Sequence, residues 1–165
     1  MTRLVASFVA VLVAAIAAVG PAAPRAFADA RLNRSERNMI RLINDIRQRH
    51  GLARLGVSYA LSRAAEGHSR DMLRRDFFDH ASSDGASPFT RIRRHTNARA
   101  VGETLAALGR HHRGAATVVR MWMGSPPHRA VLLGSSFHRI GLARSWGRLG
   151  SSMQSVVTAD FASRR

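Results

Sequence analysis

Eight histidines, ten acidic residues and no cysteine set the chemistry open to this chain. Without a thiol there is no cysteine nucleophile, no thiolate metal site and no disulfide framework. Glu103 is the most informative side chain. It stands in the alternating run Val101-Gly102-Glu103-Thr104-Leu105, where its same-face neighbours Val101 and Leu105 are apolar. A carboxylate on such a face is costly unless paired or hydrogen-bonded. Either it lies on an edge strand in water, or it is partly buried against a partner. His80 follows the aromatic pair Phe77-Phe78 and precedes a serine-rich turn, which suits the mouth of a cleft. His128 follows Ser125-Pro126-Pro127, a helix start in which Ser125 is the N-cap, accepting from the His128 backbone, and Pro126 is the first helical residue. The positive end of that helix disfavours the imidazolium form of His128. His68 falls on an apolar helical stripe and reads as a satisfied core histidine, whereas His111-His112 sits between Arg and Gly residues in an exposed loop. A serine nucleophile has little basis, because the stretch Gly124-Ser125-Pro126 does not supply a G-x-S-x-G elbow.

The elements that must position these residues are legible from periodicity. Asn33 and Glu36 have capping-box spacing ahead of the helical stripe Met39, Leu42, Ile43 and Ile46, with Gly51 at the helix C′ position. A second helix runs from near Ser58 to about Arg75 with Leu61, Ala64, Ala65, His68 and Met72 inward. Asp84-Gly85 marks a turn, a short helix follows Pro88, and 100–108 alternates as a strand. A third long helix covers about 114–123. Strands follow at about 139–146 and 153–161, joined by a Gly-rich turn and therefore antiparallel. Phe77, Phe78, Trp122 and Phe161 read as core packing. Helices around a small sheet give an α+β fold.

All 26 basic residues are arginine, and the net charge is +16. Arginine suits phosphate and carboxylate partners, but these residues are spread over every segment, which reads as a solvated basic surface. Arg3 followed by the uncharged run Leu4–Val19, then Gly20-Pro21 and Ala26-Phe27-Ala28, has the form of a secretory signal cleaved after residue 28. The run is short for a bilayer span of about 20 residues; the alternative is a retained N-terminal anchor. The expected organisation is a 1–28 leader and one domain over 29–165. Export, to the extracellular space or the cell envelope, argues against a nucleic-acid partner.

Four stretches in order carry a resemblance: Phe77-Phe78-Asp79-His80, Gly102-Glu103-Thr104-Leu105, Trp122 to Arg129, and Ile140-Gly141-Leu142. Together they resemble CAP domains, the superfamily of cysteine-rich secretory proteins, antigen 5 and pathogenesis-related 1 proteins, in its bacterial extracellular SCP-like branch. The resemblance implies an α-β-α sandwich with a small, mainly antiparallel sheet covered by helices on both sides. It also implies a cleft that, in many members, is lined by two histidines and two acidic residues. Residue by residue, the histidines fall on His80 and His128 and the first acid on Glu103, while the second acidic position is occupied by Ser125. Thr104 and Val131 also depart from the family pattern, which more often has asparagine at both.

Two arrangements of the three retained residues stay open. His80, Glu103 and His128 could hold zinc or another divalent cation with open positions, as catalytic zinc sites do, or Glu103 could hydrogen-bond the histidines with no metal. The corresponding functions are a binding module for a small or extended ligand (lipid, sterol or envelope component), a metal-assisted extracellular hydrolase or peptidase, and a basic surface protein that binds anionic polymers. The missing second acid weighs against the hydrolase, so the expectation is a binding protein.

Overall fold

The structure is a computed structural model that describes residues 32–109, 111 and 114–164; the expected 1–28 leader and His112 lie outside these. Among the described residues the order is α1 (Arg34–Arg49), β1 (Gly56–Val57), α2 (Tyr59–Arg75), α3 (Pro88–Arg93), β2 (Val101–Gly109), α4 (Ala115–Gly124), α5 (Pro126–Leu132), β3 (Phe137–Leu149) and β4 (Ser152–Ser163).

The capping box of α1 forms as expected. The Asn33 side chain accepts from the Glu36 backbone at 3.0 Å, and the Glu36 carboxylate accepts from the Asn33 backbone at 2.6 Å. Glu36 also accepts from the Arg144 backbone on β3, tying the helix start to the sheet. At the other end Gly51 adopts φ 69, a left-handed conformation that side chains with a Cβ rarely take. Arg47, which suits a helix end by charge alone, is in fact buried. Its guanidinium donates to the carbonyls of Ala53, Leu132, Gly134 and Phe137, clamping the α5–β3 connection onto α1.

The sheet order is β1-β3-β4-β2. β3 and β4 form a long hairpin closed by Gly150 at φ 58, with Leu149 paired to Ser152. Both strands extend past the spans legible in the sequence. β2 runs antiparallel to β4, and β1 adds two residues parallel to β3. That parallel pair went unexpected, because two residues are too few to show an alternation.

Alternation divides the sheet into two covered faces. One carries Ala106, Leu108, Val157, Ala159, Phe161, Ile140 and Leu142 against Met39, Ile40 and Ile43 of α1, Val118, Val119 and Trp122 of α4, and Leu132 of α5. The other meets α2 and α3 in two smaller clusters, one around Leu61, Ile92 and Ala162 and one around Met72, Leu105 and Val156. The result is the expected α-β-α sandwich. Phe77 packs partly buried beside Met72, but Phe78, read as core, is exposed in the loop that follows the Asp76 cap of α2. No described helix is long and apolar enough to cross a membrane.

Candidate functional site

The register of the sheet builds the site. Glu103 on β2 pairs with Asp160 on β4, and Asp160 pairs in turn with Gly141 on β3, so the three form one row across the face that meets α2. Gly141 leaves room for α2: a Cβ there would overlap the backbone of Leu61 and Ser62. Small size at 141 lets the helix lie close and roof the two acids.

His80 arrives on the loop after α2, and that loop is fastened at three points. The Asp71 carboxylate accepts from the Ser83 backbone at 2.9 Å and the Ser83 hydroxyl at 2.8 Å. His68 pairs through Nε2 with the Asp79 carbonyl at 2.9 Å, as an N–H donor to that oxygen. Arg91 of α3 donates to the His80 carbonyl at 3.1 Å and to the Ser82 hydroxyl at 2.8 Å. His68 is the core histidine expected but only half satisfied: Nε2 is bonded, while the buried Nδ1 has no hydrogen-bond partner among the described residues, and burial holds its pKa below the ordinary imidazole value.

Glu103 is the hub. Its side chain is 1% exposed although β2 is an edge strand, because Arg91 and the His80 loop cover that edge. One carboxylate oxygen accepts from His80 Nδ1 at 2.8 Å, and the other is bound by the Arg91 guanidinium. His80 itself is 50% exposed on the side chain, and its Nε2 makes no hydrogen bond to a described residue. The bond to Glu103 raises the His80 pKa above its ordinary value, with burial acting against it. The bond thus favours the charged, two-donor form of the ring.

Asp160 is completely buried, and neither of its oxygens receives a hydrogen bond from an N–H or O–H group of the protein. A charge left that way would be untenable. Burial, and then the neighbouring Glu103 charge, push the Asp160 carboxyl well above the usual carboxylate range. Both effects favour the protonated, neutral form of Asp160 beside Glu103.

His128 is half-buried in α5 and makes no hydrogen bond to Glu103. Burial and the charge of nearby His80 lower its pKa, so it is the neutral imidazole of the pair. Its neutrality was expected from the helix end, but burial is the leading cause. Ser125 does occupy the N-cap of α5, in extended backbone between α4 and α5, yet its side chain makes no cap hydrogen bond, contrary to the expected contact with the His128 backbone. Thr104 is buried on the opposite sheet face with no partner for its hydroxyl, and Val131 packs partly buried against the core, so neither lines the site.

The arrangement answers the cation question on chemistry. Among the described residues no three His, Asp or Glu side chains are gathered closely enough to hold a metal ion. Both Glu103 oxygens are already engaged, and His80 favours the protonated form that a metal cannot use. The residues do not fit a three-ligand cation site, and of the hydrogen-bonded alternative only the His80–Glu103 half forms, since His128 makes no bond to Glu103. Two members of the cluster escaped the sequence. Asp160 carried the same signal as Glu103, an acid in an alternating strand next to apolar residues. Arg91 carried none, being one of 26 arginines.

Comparison with known proteins agrees with this architecture. The uncharacterized protein YkwD of Bacillus subtilis is 32% identical over 108 residues, covering 65% of this chain and 41% of YkwD. The crystal structure of an extracellular SCP-domain protein from Bacillus anthracis superposes with a TM-score of 0.64 at 27% identity, over 78% of this chain and 40% of that one. An outer surface protein of Borrelia burgdorferi shares the fold, with a TM-score of 0.67 at 20% identity over 78% of this chain and 92% of that one. The chain thus spans about two fifths of the length of its Bacillus relatives. Residues 40–161 match the pattern of the cysteine-rich secretory protein family, and with the sandwich and the ordered motifs in place, the chain belongs to that family, the CAP proteins.

Proposed function

We propose that the chain is a secreted CAP module whose cleft at His80 and His128 binds an amphiphilic ligand, a lipid or another envelope component with an acceptor head group, and does not hydrolyse it. One observation carries this reading: both oxygens of Glu103 are engaged by His80 and Arg91 behind a 1% exposed surface. A carboxylate so held and so little exposed is not presented to water, and Ser125 supplies no second acid. Two features support the binding reading: His80 keeps a half-exposed ring whose charged form is favoured, close in the chain to the exposed ring of Phe78, and His128 favours the neutral imidazole. A polar donor with apolar surface on the same segment suits a head group with an attached hydrocarbon body.

Export rests on the 1–28 leader, with support from the extracellular or surface names of the structural neighbours. Calorimetry with dodecanoate tests the binding reading. Wild type should bind with an affinity that changes little between low and high salt, and His80→Ala should weaken it at least tenfold. Binding that collapses with salt in both proteins would place the interaction on the basic surface instead. Turnover of ester or peptide probes that disappears in Glu103→Gln would establish the hydrolase.

A further inference from the structure

A second concavity lies away from the His80 cleft, at the end of the sheet where α2 starts. It has a volume of about 550 Å³ and is lined by Ser58 and Ala60 at the start of α2, His95 and Thr96 after α3, Arg139 on β3, and the β4 end at Ser163 and Arg164. Its lining is cationic and hydroxylic, with no carboxylate. The guanidinium groups of Arg139 and Arg164 have no ion-pair or hydrogen-bond partner among the described residues. Two more arginines, Arg63 of α2 and Arg94 after α3, lie close enough to depress His95 by their charge, adding to the effect of burial. Five cationic or protonatable groups thus line or neighbour one polar hollow, and no acidic side chain among the described residues lines it. Some surface arginines do find acids, as in the pairs Arg41–Asp45 and Arg70–Glu66; what sets Arg139 and Arg164 apart is that they line one hollow together.

We infer that this hollow is a binding site for a phosphoryl group, carried by a soluble phosphate ester or by a phospholipid head group. Arginine forks match phosphate oxygens in two-point contacts. The hydroxyls of Ser58 and Thr96 are already acceptors for backbone N–H groups, of Leu61 at 3.4 Å and Ala98 at 3.2 Å, which leaves each hydroxyl proton to donate to an anion. The first turn of α2, which opens onto the hollow, holds no acidic side chain that would repel one. His95 completes the set: an anion in the hollow stabilises its imidazolium and offsets the push from Arg63 and Arg94. The site is independent of the His80 cleft, and it gives part of the large positive charge a location rather than a diffuse role.

The purified protein, titrated with inorganic phosphate at constant ionic strength and followed by amide and imidazole NMR, tests this. Phosphate should move the signals of Ala60, Thr96 and Ser163 together and raise the His95 titration midpoint. Arg139→Gln with Arg164→Gln should weaken binding at least tenfold, whereas Arg49→Gln with Arg120→Gln, which removes the same charge from the α1/α4 side, should change it less than twofold. Vesicles of phosphatidylglycerol, compared with phosphatidylcholine, identify the source. Perturbation of the same residues by phosphatidylglycerol assigns a lipid head group, and perturbation by free phosphate alone assigns a soluble ester. Equal losses in the two double variants, or no response at Ala60, Thr96 and His95, would overturn the inference, the first showing that only general charge is at work. Should the cavity variant unfold, the His95 midpoint of wild type with and without phosphate still decides.

Discussion

At the scale of single residues, the site is a buried Glu103 carboxylate that accepts from His80 and Arg91, with the Asp160 carboxyl paired beside it across the sheet. The buried Asp160 has a folded-state pKa above its unfolded value, so the folded state holds a proton that the unfolded state releases. Its contribution to stability is greatest below about pH 4 and shrinks as pH rises toward the folded value, by up to about 1.4 kcal/mol per pH unit. Asp160→Asn keeps a neutral donor against Glu103 and removes that slope. Denaturant melts from pH 4 to 8 should therefore show the variant gaining on wild type as pH rises; parallel curves would mean that Asp160 is ionised in the folded protein. His68 acts in the opposite direction on the acid side. Its depressed folded pKa means that its contribution, present above about pH 6.5, is lost as pH falls below that value. His68→Gln should accordingly flatten the loss of stability between pH 6.5 and 5 seen in melts of wild type. Glu103 was legible in the sequence because an acid between apolar neighbours breaks a pattern. Arg91 was not, since no local pattern separates a buried arginine from a solvated one.

At the scale of elements, caps and periodicity made most of the fold readable: the Asn33–Glu36 box, the start of α2 near Ser58 and the alternation of β2 are all in place. What stayed hidden depends on contacts far apart in sequence. The two-residue β1 exists only because β3 is there to pair with it. Arg47 serves four carbonyls, three of them more than 80 residues away. Phe78 was misread because a local aromatic pair says nothing about which ring leaves the helix. Gly141 is the tightest of the long-range contacts, since its missing Cβ is what admits α2 over the Glu103–Asp160 row. Gly141→Ala must shift backbone atoms of α2 instead of a flexible side chain, and should cost about 3 kcal/mol. A melt within 0.5 kcal/mol of wild type would show that α2 has slack over the sheet. The same variant should also loosen His80, since the loop that carries it is pinned to α2 through Asp71 and His68.

At the scale of the whole molecule, a basic sandwich carries two polar features, the buried Glu103 cluster and a hollow lined by Arg139 and Arg164. Charge on this scale was visible from composition, but its division between a diffuse surface and a specific hollow was not, because composition carries no positions. The leader predicts that a fusion of residues 1–28 to a reporter is exported, and that the chain from Asp29 onward folds with a cooperative melt; a reporter retained in the cytoplasm would remove the case for secretion. The claim at the centre of this account is that the cleft works as a charged donor held in place by Glu103. An NMR pH titration of the His80 imidazole, with and without dodecanoate, tests it most directly. The account predicts a midpoint above that of an ordinary histidine in the free protein and a further rise when the carboxylate binds. A His80 that titrates near pH ~6.5 and ignores the ligand would contradict it.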